Sequence, residues 1–164
     1  MTRAARAAAG GGAWPRVPRW LPATTTGLAL AGLAVSGYLT VEHFTATTTL
    51  ACPANGVINC ERVTSSAQSA LLGIPVALLG LLYFAVLVPA CLPAAWRSRR
   101  PAIRWARLAL AVLGVGFVFY LVYTELFLLD AICLWCTAVH AIAIALFAAV
   151  AWGTAVLPPP DPGP

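Results

Sequence analysis

Cys133 and Cys136 lie in the stretch Ala131-Ile132-Cys133-Leu134-Trp135-Cys136-Thr137-Ala138-Val139-His140, at the start of the last long apolar run. A Cys-x-x-Cys pair on a helix can open and close as a disulfide. At a helix N-terminus the free N–H groups and the macrodipole favour thiolate over thiol, so Cys133 is the sulfur expected to exchange most readily. Cys136 sits one turn deeper, and His140, four residues further on, shares its face. A thiolate one turn into a bilayer meets lipid-soluble partners, and a quinone is the obvious electron acceptor for such a site.

The elements that hold this pair are expected to be membrane helices. The 164 residues are 61% hydrophobic and only 9% charged, with a mean hydropathy of +0.87. A soluble domain of this size cannot hide so much apolar surface in one core, so the surrounding solvent must be largely lipid. Apolar runs predict four spans, at about 24–44, 75–92, 103–126 and 131–156, each near the ~20 residues that cross a hydrocarbon core as a helix. The expected fold is an all-α, four-transmembrane-helix bundle over residues 23–157. A disordered basic tail (1–22) precedes it and a Pro-rich tail (158–164) follows. The first run is of spanning length and leads into further hydrophobic segments, so it reads as an uncleaved span rather than a signal peptide.

Arginine placement predicts the orientation. The net charge of +5 comes from arginine alone, since the chain has no lysine. No basic stripe lies on a polar domain, so the charge speaks about the membrane and not about nucleic acid. Arg3, Arg6, Arg16 and Arg19 precede the first span, and Arg97, Arg99, Arg100, Arg104 and Arg107 crowd the link between the second and third. Only Arg62 lies in the 45–74 loop. The positive-inside rule puts both termini and the arginine-rich link in the cytoplasm. The 45–74 loop and the turn near 126–131 then face outward from the plasma membrane. Within that loop, residues 63–73 read as a short amphipathic interfacial helix. Ser65 with Gln68 has the capping-box spacing, and Gly73-Ile74-Pro75 ends the helix and starts the next. Glu125 and Asp130, the latter three residues before Cys133, could accept or relay protons, but the preferred reading is of outward-facing, solvated acids.

Topology sorts the five cysteines. Cys52 and Cys60 fall in the outer loop, Cys133 and Cys136 enter the fourth span from the same side, and Cys91 is alone at the inner end of the second. Four thiols therefore gather at the oxidising face in two pairs. Cys52 and Cys60 close a small loop containing Pro53, Asn55, Gly56 and Asn59, residues that turn readily. Three readings fit these pairs: a structural staple, a four-cysteine zinc site, or a relay of exchanging disulfides. Zinc is disfavoured by the loop spacing and by the scarcity of other ligands, His43 and His140 being the only histidines, so no metal is assigned. Two disulfide-forming pairs on one face favour the relay. Cys91 reads as a small buried hydrophobe.

The pattern resembles the vitamin K epoxide reductase family, four-helix membrane thiol oxidoreductases that include bacterial disulfide-forming homologues. The residues that carry the resemblance are Cys52, Cys60-Glu61-Arg62-Val63-Thr64-Ser65-Ser66, Leu72-Gly73-Ile74-Pro75 running to Leu79-Gly80, and Ile132-Cys133-Leu134-Trp135-Cys136. The resemblance implies that Cys133 and Cys136 are the active-site pair, with Cys136 nearest the quinone, and that Cys52 and Cys60 are the shuttle pair. Cys60 would exchange with Cys133 through a mixed disulfide, and Cys52 would take electrons from a reduced partner. It also puts Ser66 near the quinone head group. Two positions depart from the family's pattern. Val76 stands where many members have an asparagine that hydrogen-bonds the quinone, and His140 stands where many have an aromatic residue, often tyrosine. An imidazole at His140 could donate to a quinone oxygen or carry a proton to it. The competing reading is a histidine bonded to a backbone carbonyl inside the bundle.

The function this implies is a quinone-dependent thiol–disulfide oxidoreductase. It would reoxidise a separate thioredoxin-like protein on the outer side and reduce menaquinone or ubiquinone. Two alternatives differ in class: a quinone or quinone-epoxide reductase of quinone metabolism, and a non-enzymatic membrane subunit with structural or metal-binding cysteines.

Overall fold

A computed structural model describes residues 17–45, 52, 56–98 and 100–157. The expectations for Arg3, Arg6, Arg16, Arg99, Pro53, Asn55 and the Pro-rich tail fall outside the described residues. The chain is mostly helical. In order it forms α1 (Trp20–Thr45), the short α2 (Cys60–Thr64), a 3₁₀ turn (Ala67–Ser69), a hairpin of β1 (Ala70–Leu71) and β2 (Ile74–Pro75), and α3 (Val76–Cys91). There follow α4 (Pro93–Trp96), α5 (Pro101–Tyr123) running into a π-turn (Thr124–Leu129), and α6 (Leu134–Val156). Three of these are long and apolar enough to cross a membrane: α1, α5 with its π-turn, and α6. The apolar α3 is shorter, at 16 residues.

The long helices form an antiparallel bundle in which α1 packs on α3 and α6, and α6 also packs on α5. The sequence dictates which faces meet. On α5 the buried residues Arg107, Ala111, Gly114 and Val118 recur every three or four positions, while Trp105, Leu113 and Phe119 point outward and are exposed. Lipid tails are as apolar as leucine, so helices associate through close packing rather than by fleeing the solvent, and small residues mark the contact stripe. One tight example is Gly32 on α1, where any Cβ would overlap the Phe84 ring of α3. Phe84 belongs to the larger core cluster with Leu21, Ala29, Leu87, Cys91, Trp96, Ala111, Leu146 and Val150. Cys91 is fully buried there.

The two ends of the bundle differ. At one end Trp20 on α1 meets Trp152 near the end of α6, with ring centroids 5.1 Å apart. Arg107 stacks over Trp96 at 3.4 Å and donates to the Ala90 carbonyl at 3.2 Å. Arg104 donates to the Thr154 carbonyl, and the Thr26 hydroxyl donates to the Cys91 carbonyl at 2.8 Å. The last carbonyls of a helix have no partner within it, and in lipid each would be costly to leave bare. Side chains from neighbouring helices satisfy them here. At the opposite end lie four of the cysteines.

Residues 63–73 depart from expectation. They do not form one interfacial helix. Ser65 ends α2, its hydroxyl donating back to the Glu61 carbonyl at 2.7 Å, and Ser66 donates to the Val63 carbonyl at 2.8 Å. Both hydroxyls are thus engaged with the turn behind them, and Ser65 does not cap a helix ahead. The chain then makes the 3₁₀ turn and a two-residue hairpin at Leu72-Gly73, both with positive φ. That conformation is native to glycine and matches the twist of a tight hairpin. Pro75 sits directly before α3.

Candidate functional site

Three local devices assemble the cysteine end. The first is α2, whose N-cap Asn59 accepts the Arg62 backbone N–H at 2.9 Å and fixes Cys60 as the first helical residue. The second is a single parallel bridge between Ile58 and Ile132. Asn59 N–H donates to the Ile132 carbonyl at 3.1 Å, and Ile132 N–H donates to the Val57 carbonyl at 2.9 Å. This pairing sets the approaches to Cys60 and Cys133 side by side. The third is the π-turn, closed by Asp130 in the left-handed region (φ 46°) and by Ala131 N–H donating to the Glu125 carbonyl at 3.1 Å.

α6 starts at Leu134, so residues 131–133 are extended where the sequence predicts a helix from about 131. Cys133 is its N-cap, and its sulfur accepts the Cys136 backbone N–H at 3.3 Å. The Cys136 thiol also hydrogen-bonds this sulfur, which holds the Cys133 thiol below its ordinary range. Backbone N–H groups of Cys136 and Trp135 act in the same direction, while burial and the nearby Glu125 carboxylate oppose them.

All four cysteines meet. Cys60, Val63, Ala131 and Cys133 form one buried cluster, with Cys52, Leu129, Trp135 and Cys136 packed against it. Cys52 and Cys60 are joined as a disulfide, whereas Cys133 and Cys136 are free thiols. Cys133 is fully buried and Cys136 half-buried. Tyr38 of α1 packs on Trp135 with centroids 5.0 Å apart, which ties the Cys-x-x-Cys turn to the bundle.

Beneath the cluster lies a cavity of about 310 Å³ between α1, α3, α5 and α6. Its wall includes Ser66, Val76, Cys136 and His140, so the three residues expected near a quinone surround the deeper sulfur. Val76 contributes only a methyl face, and the Ser66 hydroxyl is engaged with Val63. His140 is buried, and no hydrogen-bond partner holds its ring among the described residues, contrary to the backbone-bonded alternative. The remaining wall is mainly aliphatic and aromatic, with Leu39, Phe84 and Phe117 among it. The size is at the lower end of the ~300–1,000 Å³ range of small-molecule sites, and a few polar groups on an apolar wall are their usual pattern. A quinone head group fits that chemistry, with His140 able to donate to a ring oxygen.

One acid is not where the sequence reading puts it. Asp130 is exposed, but Glu125 is only 6% exposed and lines the same cavity. The reason is the π-turn, whose wider coil carries residue 125 on the inner face while its neighbours Leu126, Phe127 and Leu128 stay outside. A sequence signal was present: a carboxylate within an apolar run of spanning length is a functional candidate by default. Tyr83, whose hydroxyl is buried without a partner among the described residues, also lines the cavity and carried no such signal.

A family model described as "Vitamin K epoxide reductase family" matches residues 23–151, most of the chain. No curated protein matches the chain.

Proposed function

The chain belongs to the vitamin K epoxide reductase family and is accordingly a membrane oxidoreductase with a disulfide-capable cysteine pair; from that premise we propose that it is a quinone-linked thiol–disulfide oxidoreductase. It reoxidises a separate thioredoxin-like dithiol protein at the cysteine end and passes the electrons to quinone. The observation that carries this reading is the single cluster holding all four cysteines, with one pair oxidised, the other reduced, and Cys136 opening on the cavity.

The relay runs as follows. A partner thiolate attacks Cys52, Cys60 leaves as thiolate, and the partner departs as a disulfide. Cys60 attacks Cys133 of a Cys133–Cys136 disulfide and releases Cys136. Cys52 then attacks Cys60, which restores the Cys52–Cys60 disulfide and frees Cys133. Each step exchanges one sulfur–sulfur bond for another, and the net movement is two electrons and two protons to Cys133 and Cys136. The depressed Cys133 pKa suits it as the exchanging sulfur. A quinone in the cavity supplies the two-electron, two-proton acceptor. His140 and the apolar wall orient it, and Val76 excludes water without hydrogen-bonding it.

Arginine distribution supports the orientation: cysteine end outside the plasma membrane, arginine end and both termini in the cytoplasm. The test is reduction of a short-chain ubiquinone or menaquinone analogue by purified protein supplied with a reduced thioredoxin-like protein. Turnover that vanishes in Cys60→Ala supports the relay. Wild-type protein that consumes no thiol in the presence of either quinone contradicts it.

A further inference from the structure

Closing the Cys133–Cys136 dithiol breaks two S–H bonds and makes one S–S bond, so two protons must leave with two electrons. Cys136 lines the cavity and can release its proton there directly. Cys133 cannot. It is fully buried and is not part of the cavity wall. Besides Cys136, Glu125 is the side chain near both places: its carboxylate lies beside the Cys133 backbone N–H, the Ala131 N–H two residues before Cys133 is held on its carbonyl, and it lines the cavity. No cation pairs with it among the described residues. A buried carboxylate without a counter-ion is costly in a membrane bundle, and such residues are typical of proton pathways. The other titratable groups around the same cavity are Cys136 and His140 of α6, Tyr83 of α3 and His43 of α1; Cys136 contacts Cys133 but has a proton of its own to release.

We propose that Glu125 is the proton acceptor of the Cys133–Cys136 centre, taking the Cys133 proton as the dithiol closes and releasing it to a quinone oxygen. This deepens the quinone-linked reading and rests on it. The electron pair goes to the quinone, the Cys136 proton enters the cavity directly, and the Cys133 proton follows through Glu125. Both quinone oxygens end protonated, and Glu125 ends ionised as it began.

The test reads the proton without turnover. Infrared difference spectra between the dithiol and disulfide states of the full-length, quinone-free protein are recorded with and without ¹³C-glutamate. Only Glu42, Glu61 and Glu125 carry that label. The expected result is a protonated-carboxyl band in the disulfide state, where no quinone takes the transferred proton from Glu125, that shifts with the label and disappears in Glu125→Gln, which keeps an acceptor beside the Cys133 N–H. In the same variant, single-turnover quinone reduction should fall by about 10²–10⁴-fold, while exchange between Cys52–Cys60 and the partner stays unchanged. A labelled wild-type spectrum with no shifted carboxyl band, or a band that persists in Glu125→Gln, overturns the proposal. Because the spectrum requires no quinone, it also separates the two readings. Wild-type protein that shows the band yet passes no electrons to quinone supports the proton site and overturns the functional reading.

Discussion

The two ends of one antiparallel bundle use polar groups in opposite ways. At the arginine end side chains from neighbouring helices cover helix-end carbonyls, while Arg107 Nε and the Thr154 hydroxyl are buried without a partner among the described residues. Arg107 is buried against Trp96 and the Ala90 carbonyl, Trp96 Nε1 donates to the Thr25 hydroxyl at 3.0 Å, and Arg104 and Thr26 cover the last carbonyls of α6 and α3. At the cysteine end regular structure stops early. Extended residues lead into α6, one parallel bridge joins the loop to it, a π-turn replaces an α-helical end, and a buried carboxylate has no cation beside it among the described residues. Fixed helix ends give the bundle its register. Irregular segments at the other end bring the four sulfur atoms into one cluster.

Substitutions at each end should therefore separate activity from stability. The largest effect is expected for Cys136→Ala, which should lower quinone reduction by about 10⁴-fold or more while unfolding shifts by no more than about 1 kcal/mol. The same variant removes a hydrogen bond that favours the Cys133 thiolate. Since the thiolate is the reactive form and is lost as pH falls through its pKa, the midpoint for Cys133 alkylation should move to higher pH. At the other end Arg107→Met should cost about 2 kcal/mol of stability, from the lost cation–π contact and a bare carbonyl, as measured by denaturant unfolding in micelles. The folded fraction should reduce quinone at the wild-type rate. A loss of rate there without a loss of stability would break the division between the ends. His140→Phe should raise the quinone KM about tenfold, the equivalent of one hydrogen bond, and leave exchange at Cys52–Cys60 unchanged. The smallest effect belongs to Asn59→Ala. Loss of its cap should cost about 1 kcal/mol locally, visible as faster amide exchange in α2.

How much of this was legible depended on the range of the interactions. The apolar runs that announce α1, α3, α5 and α6 are local patterns, and the cysteines declare themselves by type and spacing. The Ile58–Ile132 bridge joins residues more than seventy positions apart, and nothing local announces it. Residues 63–73 misled because their spacing suits an amphipathic helix. Two serine hydroxyls bonded backward and a Leu72-Gly73 turn decide against it. Glu125 was misplaced for a similar reason: a carboxylate near the end of an apolar run looks solvated unless the wider coil of the π-turn is known.

The central claim is that electrons cross from one cysteine pair to the other through Cys60 and Cys133. The most direct measurement is non-reducing peptide mapping of a Cys52→Ala, Cys136→Ala double variant, which removes both resolving thiols. The account predicts a covalent Cys60–Cys133 adduct that forms without added cross-linker. Unpaired Cys60 and Cys133 in that variant, together with a wild-type Cys52–Cys60 disulfide that is inert to partner thiols, would contradict it.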